Sequence, residues 1–167
     1  MKTFKPVIAL AAICLPAQLA LSASASTPPS AAEMDDMTLQ VIALTNTERF
    51  KFGLPSLKPQ RFLTASAKWM AHDMAEKNYF DHNDSRKRSI DPRLPDFGYK
   101  DYQTIGENIA AGQKTAASVV NGWMHSPHHR ENILNPDFKE IGVGVFFTQS
   151  GKYHWYWVQD FGKKFAD

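Results

Sequence analysis

A chain of 167 residues with 19 basic and 17 acidic side chains carries almost no net charge, which argues against nucleic acid or an anionic membrane as its main partner. Its one cysteine, Cys14, excludes a disulfide framework. The length suits one domain, able to bury roughly two-thirds of its unfolded surface without covalent staples.

The N-terminus has the three parts of a secretory signal peptide: Lys2 and Lys5, an apolar run from Val7 to Leu21, and the small-residue site Ala23-Ser24-Ala25. Cleavage after residue 25 would leave a cysteine-free chain with 17 basic and 17 acidic residues, placed in the periplasm or outside the cell. The apolar run falls short of the ~20 residues a membrane span prefers and contains Pro16 and Gln18, so no stable insertion is expected after cleavage. Residues 26–35, which open on Ser, Thr, Pro and Ala, read as a flexible linker before a single domain at 36–167. The first helix is predicted over Asp36 to Phe52, with Met37, Val41 and Leu44 as its apolar stripe and Gly53 and Pro55 ending it. A second, from Pro59 to Asn78, buries Leu63, Ala67, Met70, Ala71 and Met74 and leaves His72 and Asp73 toward solvent.

Tyr79-Phe80-Asp81-His82 follows at a helix-to-loop junction, where the two rings can aim His82 into a cleft. Arg86-Lys87-Arg88 reads as a solvated turn, and the prolines of Asp91-Pro92-Arg93-Leu94-Pro95 argue against regular structure. Arg93 either folds back onto an acidic loop or is exposed. Ile105-Gly106-Glu107-Asn108-Ile109-Ala110 suits a brief strand, and Glu107 within it cannot lie far from the core. A carboxylate there needs a cation, a metal or hydrogen-bond donors to stay ionised.

The stretch from Trp123 to Leu134 joins an aromatic anchor, a helix break and a histidine-bearing turn. The third helix runs from Thr115 to His125. Ser126 then reads as the N-cap of a short helix with Pro127 at its first position and His129 at its third. Near the positive helix end His129 would stay neutral, as a metal ligand or a general base requires. His125 has no assigned role, and His128 should be exposed. Ile141–Phe147 and Tyr153–Phe161 read as two strands joined through Gln149-Ser150-Gly151-Lys152, with His154 packed in the second. Helices first and a hairpin last make an α+β arrangement with a mainly antiparallel sheet between helices. No Gly-x-Ser-x-Gly elbow, His-Glu-x-x-His, phosphate loop or dinucleotide fingerprint is present.

Asn46-x-x-Arg49, Gly53-Leu54-Pro55-x-Leu57, Tyr79-Phe80-x-His82, Gly106-Glu107-Asn108-Ile109-Ala110, Trp123-Met124-x-Ser126-Pro127-x-His129-Arg130-x-Asn132-Ile133-Leu134 and Ile141-Gly142-Val143-Gly144 occur in that order. Together they resemble the bacterial SCP-like branch of the CAP superfamily, which includes the cysteine-rich secretory, antigen 5 and pathogenesis-related 1 proteins. The resemblance implies a secreted three-layer α–β–α sandwich, and the chain is expected to be a monomer. It also implies a cleft with two histidines and two glutamates able to hold a divalent cation. Carried over, the metal ligands are His82, Glu107 and His129, with zinc the expected ion. The second glutamate is absent, and Ser126 stands in its place. A polar cluster stitching loops together is the alternative for the same three residues.

The function expected on this basis is an extracellular or envelope binding module for protein, lipid or cell-wall material, with no catalytic residue assigned. A metal-dependent hydrolase using Glu107, His82 and His129 is the second reading, and a lipid or sterol carrier the third.

Overall fold

The computed structural model describes residues 28–165; the expected signal peptide at 1–25, with Cys14, lies outside them. Helix α1 spans Ala31–Lys51. It begins inside the stretch read as linker because Ser30 and Glu33 form a capping box: the Ser30 hydroxyl accepts from the Glu33 N–H at 3.2 Å, and the Glu33 carboxylate accepts from the Ser30 N–H at 2.7 Å. Val41, Ile42, Thr45 and Arg49 form its buried face. The Arg49 guanidinium closes the C-terminal end, donating to the carbonyls of Pro55, Ile133 and Asn135 at 2.8–2.9 Å.

Pro59 does not open the second helix as expected. Lys58–Pro59 is a two-residue strand, β1, and Gln60 caps helix α2, Arg61–Glu76, by accepting from the Phe62 N–H. A proline can hold this edge position because it is asked for no ladder donor there. Nor is the proline-rich 91–95 stretch irregular: Ile90–Arg93 is a helical turn, α3, and Leu94–Phe97 a 3₁₀ turn. Both prolines occupy first-turn positions, where their missing N–H groups have no helical partner to lose. Strand β2 follows at Tyr102–Ala111, then helices α4 at Ala116–Met124 and α5 at Pro127–Ile133, and strands β3 at Glu140–Phe147 and β4 at Trp155–Lys164.

The sheet order is β1-β3-β4-β2. Two antiparallel pairings make up most of it, and β1 adds a short parallel pairing to β3, so the sheet is mixed. One face packs on α1, α4 and α5 through Val41, Val119, Trp123 and Ile133 against Ile141, Val143, Val145, Trp157 and Phe161. The other packs on α2 through Ala67, Met70, Ala71 and Met74 against Ile109, Tyr156 and Val158. The result is the expected three-layer α–β–α sandwich. Within β3 the period-two alternation sends Ile141, Val143 and Val145 to the first face. Gly142 and Gly144 face α2 so closely that a Cβ on them would lie well under 3.0 Å from the backbone nitrogens of Thr64 and Lys68 respectively. Glycine here lets a helix backbone rest directly on a strand. His154 is not a packed strand residue: it is exposed ahead of β4, with φ of +63°.

Candidate functional site

Asp73 fixes the loop that carries His82. Expected on the solvent side of α2, it is instead buried, and its carboxylate accepts from the Tyr79 hydroxyl at 2.5 Å and from the Ser85 N–H and hydroxyl at 2.8 and 2.7 Å. Burial pushes this carboxyl up, but those hydrogen bonds outweigh it and hold it below its ordinary value. Asp84, also buried, accepts from the Arg86 and Arg88 N–H groups and from the Arg88 side chain, which bridges to Asp96. Arg88 is therefore part of the loop's frame, while Arg86 and Lys87 are exposed. Two aspartates thus anchor His82 at the lip of a cleft, where its side chain is 54% exposed.

Below the lip, His82 Nδ1 donates to Glu107 Oε1 at 2.8 Å, and the Arg93 guanidinium donates to the other oxygen, Oε2. Arg93 is fully buried and also reaches Ser66 and the Met70 sulfur, both on α2. Of the ways to keep Glu107 ionised, the fold uses a cation, and Arg93 folds back to supply it. The register of β2 on β4 sets Asp160 directly opposite Glu107, so two buried carboxyl groups share one guanidinium. Asp160 Oδ1 lies 3.9 Å from Arg93, and neither of its oxygens makes a hydrogen bond of normal geometry. Burial and the adjacent Glu107 charge push Asp160 far above the usual carboxylate range. No local pattern marks this member of the site, because only strand register brings it to Glu107.

Ser126 is the backbone N-cap of α5, as expected, but its hydroxyl makes no capping bond. His129 is held through its backbone: its carbonyl accepts from Asn108 Nδ2 at 3.0 Å. Asn108 also donates to Gln159, Gln159 to Thr45, and Asn132 to Asn108 and the Glu107 carbonyl, an amide chain that fastens α5 to β2, β4 and α1. The His129 side chain lines a cavity of about 310 Å³ with Phe80, Ile109, Trp123, Ser126 and Tyr153. Its pKa is lowered first by burial and then by the charges of His82 and His128. His82 shifts the other way, because its bond to Glu107 stabilises the charged ring more than burial opposes it. His125 and His128 are exposed, as expected of His128.

The three expected metal ligands therefore lie in one neighbourhood but are not gathered on one centre. Both Glu107 oxygens are engaged, one by a guanidinium that occupies the position a cation would take. Among the described residues no group of three His, Cys, Asp or Glu side chains converges as a metal ion requires. The donor set as arranged does not fit a zinc ion. No described helix is long and apolar enough to cross a membrane.

The chain matches the profile of the cysteine-rich secretory protein family, CAP, over residues 42–161. It is 47% identical over 122 residues to the uncharacterized protein YkwD of Bacillus subtilis (strain 168), covering 73% of this chain and 45% of that one. The membrane protein YlbC of the same organism is 37% identical over 119 residues, which are 70% of this chain and 34% of that one. The chain thus spans less than half the length of these curated relatives. Among solved structures, an extracellular SCP-domain protein from Bacillus anthracis superposes with a TM-score of 0.73 at 30% identity, covering 83% of this chain and 45% of that one. An outer surface protein from Borrelia burgdorferi shares the fold, with a TM-score of 0.72 at 23% identity over 79% of this chain and 96% of that one. With the sandwich, the His82–Glu107 pair and the Ser126–His129 turn in place, the chain belongs to the CAP, or cysteine-rich secretory protein, family.

Proposed function

We propose that this CAP domain is an exported binding module whose cleft recognises a ligand with an apolar body and one acidic or carbonyl group. The location is supported by the extracellular and outer-surface relatives above. One observation carries the ligand chemistry: His82, whose pKa Glu107 raises, lies within charge range of His129, which lines an apolar cavity. His82, stabilised as a cation by Glu107, has its second ring nitrogen free to donate, and Phe80, two residues before it, lines the 310 Å³ cavity with Trp123 and Tyr153. The engagement of Glu107 by Arg93 favours recognition over catalysis, since a carboxylate held by two donors is a poor base.

Decanoate offers one carboxylate and an apolar chain, and Trp123 in the cavity wall reports its entry by fluorescence. Saturable binding is expected, weakened about tenfold or more in His82→Ala, the worth of one charge-assisted hydrogen bond. Gly122 also lines the cavity, and a Cβ there would have only Gln113 near it, at 3.9 Å, so Gly122→Leu should fill the space without disturbing the helix and abolish binding. Equal affinity in all three proteins would overturn the proposal.

A further inference from the structure

We propose a second site on the far end of the sheet, an anion-binding groove for a flexible polymer of repeated phosphate groups. The strand ends there enclose about 680 Å³, lined by Lys58, Lys139, Lys163 and Lys164 together with Glu140 and Gln103. Four of the chain's cations are gathered in one groove of a protein whose charges otherwise nearly cancel. The single carboxylate among them is already engaged, since Glu140 accepts from the Tyr99 hydroxyl at 2.7 Å. Asp101 and Asp137, the acidic residues nearest in sequence, do not line the groove. Among the described residues none of the four ammonium groups forms an ion pair: Lys139 donates to the Pro136 carbonyl, and Lys164 lies 5.4 Å from the Tyr99 ring centroid. Like charges held together without partners repel one another, and an incoming anion relieves that cost.

The register decides what kind of anion fits. Lys58 on β1 is paired with Glu140 on β3, and Glu140 in turn with Gly162 on β4, immediately before Lys163. At about 4.8 Å per strand step, the lysine-bearing strands span about 10 Å across the strand ends, so anions repeated along a chain can meet several of the lysines at once. A ligand with anions repeated along a flexible chain meets this row. Lysine ammonium groups act on phosphate as point charges and need no bidentate geometry. The groove lining contains no aromatic ring on which a nucleobase could stack, so the sugar–base part of a nucleic acid finds no platform.

Long-chain inorganic polyphosphate is the probe, titrated against the full chain at several sodium chloride concentrations. Binding is expected to weaken linearly with the logarithm of salt, with a slope of about −3 for four lysine contacts on a single-stranded polyanion. Replacing Lys58, Lys139, Lys163 and Lys164 with Gln should lower affinity at least tenfold while leaving thermal unfolding unchanged. The same substitution at Lys51, Lys77, Lys87 and Lys114 should leave affinity within about twofold. Equal losses in both variants would show that only net charge acts and would overturn the site. Binding to phosphatidylglycerol vesicles but not to polyphosphate would also overturn it, in favour of a membrane surface.

Discussion

Arg93→Met should cost about 3–5 kcal/mol of folding stability, the range for removing one partner of a buried ion pair. The guanidinium is fully buried and, among the described residues, is the only cation facing Glu107 from below and Asp160 from across the sheet. Without it, two carboxyl groups remain side by side in the core, and one must be ionised against the other or take up a proton. The methionine fills most of the arginine's space, so lost packing contributes little. Adding Glu107→Gln and Asp160→Asn to Arg93→Met removes the stranded charges and should restore much of the loss. Urea unfolding of the single and triple variants at neutral pH measures both. A triple variant as unstable as the single one would show that Arg93 acts by packing rather than by charge.

The second large effect is steric. Gly144→Val should destabilise the domain by about 3 kcal/mol or more, at or beyond the upper end of ordinary overpacking, because the atoms it meets are backbone. A Cβ at this position lies well under 3.0 Å from Lys68 N, Ala67 C and Ala67 O, so α2 must lift off the sheet to admit even one methyl group. Lifting α2 also moves Ser66 and Met70, which hold Arg93, and Asp73, which anchors the His82 loop. The site should therefore loosen along with the fold. Gly122→Ala is the contrast: its helix has open space there, and the gain in helix propensity should stabilise by about 0.5–1 kcal/mol. Thermal unfolding of the two variants separates a glycine needed for close approach from one that is not.

The elements with strong local signals were legible in the sequence. Thr115 and His125 do bound α4, Ser126 and Pro127 do open α5, and the β-branched and aromatic runs do form the terminal hairpin. Features without a local signal were not. Strand β1 is two residues long and holds a proline, so neither alternation nor propensity could mark it. The start of α1 does carry a local signal, the Ser30-x-x-Glu33 capping box, but it sits within a stretch rich in linker residues. At the site, the family resemblance groups His82, Glu107 and His129, and of their partners the sequence offers Arg93 only as one of two alternatives and Asp160 not at all. Arg93 and Asp160 reach Glu107 only through the packing of α3 and the register of β2 on β4, and Asp73 departs from the solvent-facing position its helix spacing suggested because Ser85 and Tyr79 close over it. The same long-range packing gives Glu107 a guanidinium as its cation.

The proposed recognition chemistry depends on a cleft in which Glu107 raises the His82 pKa while burial lowers that of the nearby His129. Following the imidazole nitrogens of both residues by NMR across pH tests it directly. His82 should titrate above its ordinary value of 6.5 and His129 below it. The signs for stability are opposite in origin. His82 contributes fully below pH 6.5, and that contribution fades as pH rises through its folded value. His129 penalises the fold once pH drops through its unfolded value, because its ring resists protonation in place. In Glu107→Gln the His82 value should fall and the His129 value should rise, since a less charged His82 repels it less. Two histidines titrating together near the ordinary value, unmoved by Glu107→Gln, would contradict this picture of the cleft.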